Sequence, residues 1–194
     1  MKYVKRILFF ITASVLLISC EEIEDLIFEE VEVTRSFTNT ISIDIAQEED
    51  PEMDVSFSES GGANFFTNLE VEGISISRDQ IKAIEMQSLK YEYTNFSGNV
   101  DADLTSTFRL ATNFATGDSQ TFNASPTNVA ESDLLNTEFQ LSGDFSAVND
   151  YMTTNKIVAY IYSGTVSDNS ARFDVRVTIR VKLTVSVPSD ISED

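Results

Sequence analysis

From Ala171 to Val187 the chain alternates without a break. Every odd-numbered residue is apolar (Ala171, Phe173, Val175, Val177, Ile179, Val181, Leu183, Val185, Val187), and every even-numbered one is polar or charged. A period of two sends successive side chains to opposite faces of a β-strand; a helix would scatter the same apolar residues around its circumference. The run therefore predicts a strand with one wet and one dry face. Seventeen residues at roughly 3.4 Å each would span about 58 Å, longer than most strands. The strand is accordingly predicted to bend or to pass between two sheets, and Pro188 ends it.

Weaker alternations precede it. Phe37, Ile41, Ile43 and Ile45 share one face, with Asn39 as a polar break. Met53, Val55 and Phe57 alternate ahead of a turn expected at Gly61-Gly62, and Val100, Ala102, Leu104, Phe108 and Leu110 form a set interrupted by Ser106. Residues 157–162 are apolar on both faces, as a central strand is. Within 81–96, Ile84 and Met86 are even-numbered while Leu89, Tyr91 and Tyr93 are odd. That change of phase predicts a bulge or bend near Gln87-Ser88. One short connecting helix is expected where Phe145, Val148, Tyr151 and Met152 recur at helical spacing, with Asp144 as its cap. Many strands and almost no helix point to an all-β fold, a two-sheet antiparallel β-sandwich, with a β-barrel as the alternative.

The first 20 residues have a different character. Lys2, Lys5 and Arg6 precede an uncharged stretch from Ile7 to Ser19. Its 13 residues fall short of the roughly 20 needed to span a bilayer, and the arrangement reads as an export signal. Leu17-Ile18-Ser19-Cys20 resembles the lipobox of bacterial lipoproteins. That resemblance implies diacylglyceryl transfer to the Cys20 thiol and cleavage before it, leaving Cys20 as the lipid attachment site. Cys20 is the only cysteine, so no intramolecular disulfide competes for it. Glu21-Glu22-Ile23-Glu24-Asp25 resembles the acidic surface-export signal of Bacteroidota-type lipoproteins; the plainer reading is a solvated tether. The organisation expected is a signal peptide over 1–19, an acidic lipid-anchored tether over 20–30 and a β-sandwich domain over 31–190.

Charge narrows the partners. Without Lys2, Lys5 and Arg6, the 13 basic residues fall to ten, against 32 acidic, for a net charge of −22. Such a field opposes nucleic-acid binding and adhesion to anionic lipid. The chain has no histidine and no tryptophan. That removes His-dependent triads and imidazole zinc sites, and commitment of Cys20 to lipid removes thiolate chemistry. A carboxylate pair stays available, but among 32 acids spacing alone identifies none.

Four features were weighed as sites. Glu48-Glu49-Asp50-Pro51-Glu52-Met53-Asp54 has the oxygen density calcium needs, but lacks the glycine and ligand spacing of a calcium loop. Asp101 and Asp103 would share one strand face. Arg172, Arg176, Arg180 and Lys182 line the wet face of the last strand, as an anion-binding stripe or as partners of acids on neighbouring strands. Tyr91, Tyr93, Tyr160 and Tyr162 would make a sugar platform if exposed, or core packing if not. None of these supplies a catalytic, cofactor or metal assignment.

The expectation is a non-enzymatic, membrane-anchored envelope lipoprotein of the bacterial outer membrane, cell-surface exposed or periplasm-facing. Its membrane attachment runs through Cys20, and its domain has a binding or structural role toward a protein or glycan. The alternatives are a calcium-dependent glycan-binding module of a polysaccharide uptake system and a carboxylate-dependent hydrolase. In pattern and leader the chain resembles small β-sandwich lipoproteins of Bacteroidota-like bacteria, a resemblance that implies no activity.

Overall fold

A computed structural model of the chain describes residues 28–45, 54–113, 116–167 and 170–188. The leader, Cys20, most of the tether and residues 48–53 of the acidic loop lie outside the described residues. Two antiparallel sheets face each other across one core. The first has the order β1 (Phe28–Ile45), β11 (Ala171–Pro188), β5 (Ile81–Gly98), β9 (Glu138–Gln140). The second runs β2 (Val55–Asn64), β10 (Ile157–Val166), β6 (Asp103–Asn113), β7 (Asp118–Asn123), with the short β8 (Thr127–Asn128) beside β6. This is the expected sandwich. A small hairpin, β3 (Glu70–Val71) and β4 (Ile74–Ser75), turns at Glu72-Gly73. Both turn residues have positive φ (52° and 83°), the requirement of a two-residue type I′ turn.

β11 is the spine. Its odd-numbered residues are all buried, and it pairs with β1 along its whole length, from Phe28↔Pro188 to Ile45↔Ala171. It does not cross between the sheets. The irregularities lie in its other neighbour, β5, which carries three register shifts. One leaves Gln87 unpaired between Ser88↔Arg180 and Met86↔Val181. This is the predicted bulge, and it lets Ile84 and Met86 share the buried face with Leu89, Tyr91 and Tyr93. β1 starts at Phe28, three residues inside the segment expected to be tether. Glu29 and Glu30 lie exposed on this edge strand, so burial left no apolar signature there.

Other expectations need correction. Gly61 and Gly62 are not a turn: β2 runs straight through them, opposite Tyr160 and Ala159. A Cβ on Gly61 would lie 2.5 Å from the Tyr160 ring, and one on Gly62 2.5 Å from the Val158 carbonyl oxygen. The glycines allow close approach rather than reversal. Val100 is 65% exposed in the turn before β6. The predicted helix forms as Ser146–Asn155, but Phe145 is its N-cap residue; the Asp144 carboxylate accepts instead from the Ser146 N–H at 2.9 Å. A second helix, Val129–Leu134, precedes it in the chain. Hereafter these are α1 (129–134) and α2 (146–155). Asn128 caps α1 by accepting from the Glu131 N–H at 2.9 Å, and the Asn-x-x-Glu spacing is the sequence signal that marks it.

The free edge of β5 is covered at each level. Asn149 and Thr153 of α2 accept from the N–H groups of Met86 and Ile84, both at 2.9 Å. β9 pairs with Lys90–Glu92. Beyond it, the Asp133 carboxylate at the end of α1 accepts from the Phe96 N–H at 2.9 Å. An open ladder edge is a template for unwanted pairing, and helices, loops and short strands are the usual covers.

Candidate functional site

The tyrosines proposed as a sugar platform are interior. Tyr91, Tyr93, Tyr160 and Tyr162 are each at most 2% exposed. Their hydroxyls are spent on internal bonds. Tyr162 donates to Ser106 Oγ at 2.9 Å and lies 3.1 Å from the Tyr93 hydroxyl. Tyr91 accepts from the Ser125 N–H at 3.0 Å. The Tyr160 hydroxyl, lying over Gly61, accepts from Asn39 Nδ2 on the opposite sheet at 3.4 Å. Ser106 and Asn39, the two polar breaks in apolar strand faces, thus meet tyrosine hydroxyls. Burial raises the phenol of Tyr93 to about 12 and carries Tyr162 well above its ordinary value.

The basic stripe is largely paired off. Arg172 lies 4.0 Å from Asp44, Arg176 2.8 Å from Glu92, and Lys182 3.1 Å from Glu32 and 3.2 Å from Glu85. Each pair joins adjacent strands, the ordinary way a sheet's wet face balances charge. Arg180, between Ser36 and Ser88, is exposed without an ion pair among the described residues. Asp101 and Asp103 are exposed, but only Asp103 belongs to a strand. Among the described residues no three His, Cys, Asp or Glu side chains converge as metal ligands.

Two other places concentrate features that sequence reading did not single out. On the second sheet a cleft of ≈ 340 Å³ is lined by Arg109, Ala111, Asp118, Ala159 and Ile161, with Tyr151 of α2 at its wall. Its small side chains make a shallow, mostly apolar trough, with one cation and one carboxylate along it.

The second place is the end of the sandwich where β1 begins. There Arg78, in the 3-10 turn Arg78–Gln80, donates to the Asn155 carbonyl at 3.0 Å, and its guanidinium sits 5.4 Å from the centre of the Phe66 ring. Lys156 follows Asn155, and Lys82 Nζ donates to the Asp79 carbonyl at 3.4 Å. Arg78 and Lys82 are four residues apart, but Lys156 lies 74 residues beyond Lys82, so no local pattern announces the group. Burial, followed by the charges of Arg78 and Lys82, pushes the Lys156 ammonium below its ordinary value.

No family model matches the chain, and no curated protein matches it. Among solved structures it is similar to a decameric BFDV capsid protein, at 11% identity and a TM-score of 0.41, covering 80% of this chain and 98% of that one. It is also similar to Desmodium yellow mottle tymovirus, at 9% identity and a TM-score of 0.27, covering 79% and 83% of the two chains.

Proposed function

We propose that this chain is a lipid-anchored lipoprotein of the bacterial outer membrane whose β-sandwich serves a non-catalytic binding or structural role. The observation that carries this reading is Leu17-Ile18-Ser19-Cys20, placed directly behind a basic, then uncharged leader and containing the chain's only cysteine. The fold is compatible with it. β1 starts at Phe28, and the eight peptide steps from Cys20 to Phe28 reach at most about 28 Å when extended. A lipid on Cys20 therefore keeps the sandwich close to the bilayer. Each buried methylene contributes about 0.8 kcal/mol, and one acyl chain alone anchors only marginally, which is why a diacyl group at this position matters.

The test is metabolic labelling with an alkynyl fatty acid. The wild-type chain is expected to take up label and Cys20→Ala to take up none; undiminished labelling of the variant would overturn the anchor. Protease shaving of intact cells, against a lysed control, then reads the facing. Loss of the domain from intact cells supports surface exposure, and protection until lysis supports a periplasmic one.

A further inference from the structure

We infer that Arg78, Lys82 and Lys156 form a phosphate-binding site at the tether end of the domain, taking the headgroup phosphates of anionic lipid in the membrane that holds the Cys20 lipid. This rests on the lipid-anchor reading.

Position is the first ground. Gln80 Nε2 donates to the Ser186 carbonyl at 3.1 Å, and Ser186 pairs with Glu30, two residues from Phe28. Ile81, beside Lys82, pairs with Val185, which pairs with Val31. The cluster thus stands two strands across from the start of β1, or about 10 Å at roughly 4.8 Å per strand. The opposite end of β1, at Ile45, lies 14 residues beyond Val31, about 48 Å along the strand. The cations are at the end that an anchor on Cys20 holds nearest the bilayer.

Charge is the second. Ten basic residues follow the leader, against 32 acidic ones, and Lys90, Arg172, Arg176 and Lys182 each have a carboxylate within 4.0 Å. Arg78, Lys82 and Lys156 have none among the described residues. Three cations gathered at one end repel one another, and an anion relieves that repulsion. Burial first, and then the charges of Arg78 and Lys82, lower the Lys156 ammonium. Asp79 is the flanking carboxylate: the hydrogen bond it accepts from Ser77 Oγ at 2.7 Å holds its carboxyl below the ordinary range, with a smaller contribution from the Lys82 charge. The exposed Glu29 and Glu30 belong to β1.

Local geometry is the third. Lys82 is the extra residue of a β5 bulge, between Ala83↔Thr184 and Ile81↔Val185; bulges re-aim side chains. Lys156 ends α2 in the left-handed region, at φ 60°, a position that favours glycine. Arg78 and Lys156 also suit the negative end of the α2 dipole, but that does not account for Lys82. Phe66 and the Asn155 carbonyl hold the guanidinium while using one of its five N–H groups, so a fork is left for phosphate.

The lipid-bearing full-length product is purified and reconstituted in vesicles of phosphatidylcholine, alone or with one quarter phosphatidylglycerol. Lysine acetylation is followed by mass spectrometry. Lys82 and Lys156 are expected to react at least threefold more slowly in the anionic vesicles, with Lys90 unchanged. That protection should disappear at high salt and in Arg78→Gln, and return in Arg78→Lys. Equal rates in the two vesicles would overturn the site. Protection by inorganic phosphate in micelles, with no difference between vesicles, would overturn the headgroup assignment. If the purified chain carries no lipid mass, the anchor reading falls alone. Slower acetylation on adding anionic vesicles to that chain would still support the site, and unchanged rates would overturn it.

Discussion

Tyr162 carries its hydroxyl into the middle of the sandwich, where leaving it unbonded would be costly. It donates to Ser106 and lies beside the hydroxyl of Tyr93. Tyr162→Phe strips both neighbours of a partner, so it should destabilise the domain by about 1–3 kcal/mol. Ser106→Ala should cost less, since Tyr162 keeps Tyr93. The double variant should cost less than the two singles combined, because both act on one network. Urea unfolding measures all three, and strict additivity would contradict the coupling. The same burial makes a pH prediction. With burial raising Tyr93 to about 12 and carrying Tyr162 well above its ordinary value, the folded chain holds phenol protons more tightly than the unfolded chain does. That contribution is whole below the unfolded value near 10 and is lost as pH rises toward 12 and beyond. Stability should fall above pH 10, and native tyrosinate absorbance should lag behind that of unfolded chain. At this scale Ser106 and Asn39 were legible in the sequence as interruptions. Their hydrogen-bond partners, 56 and 121 residues away, were not.

The element that most needs explanation is β5. An unbroken strand would send either Ile84 and Met86 or Leu89, Tyr91 and Tyr93 into solvent, and the Gln87 bulge prevents that. The change of phase was visible in sequence because period two leaves no other way to bury both sets. The edge covers were invisible, because they are bonds from β5 backbone to polar side chains of helices elsewhere in the chain. Asn149→Ala should leave the half-buried Met86 N–H without its acceptor and cost about 1–3 kcal/mol. Hydrogen exchange at Met86 should quicken while Val181, on the β11 side, stays protected. Equal exchange in variant and wild type would show that the helix does not guard this edge. α1 was missed because an apolar pattern is scarce in six residues; its capping pair was the available clue. The predicted Gly61-Gly62 turn failed for a related reason. Glycine marks either a reversal or a close approach, and which one depends on the ring of Tyr160 above it.

Across the whole molecule, the first and last strands meet. β1 and β11 pair in full register although Phe28 and Pro188 stand 160 residues apart. Loop closure on that scale precedes the reward, so refolding should take milliseconds to seconds. Stopped-flow refolding completed in microseconds would contradict the topology. The charge map is also a property of the whole. A net charge of −19 reads as uniform repulsion of anionic surfaces, yet folding gathers Arg78, Lys82 and Lys156 at one end and distributes most of the C-terminal stripe among acids. By itself the sequence determined the all-β class, the dry face of β11 and the β5 bulge, because each is written in neighbouring residues by a period or a phase change. Only the tertiary structure decided which sheet holds which strand, that the tyrosines face inward, and that Lys156 joins Arg78 and Lys82 at one end. Those outcomes depend on contacts between residues that no local pattern connects.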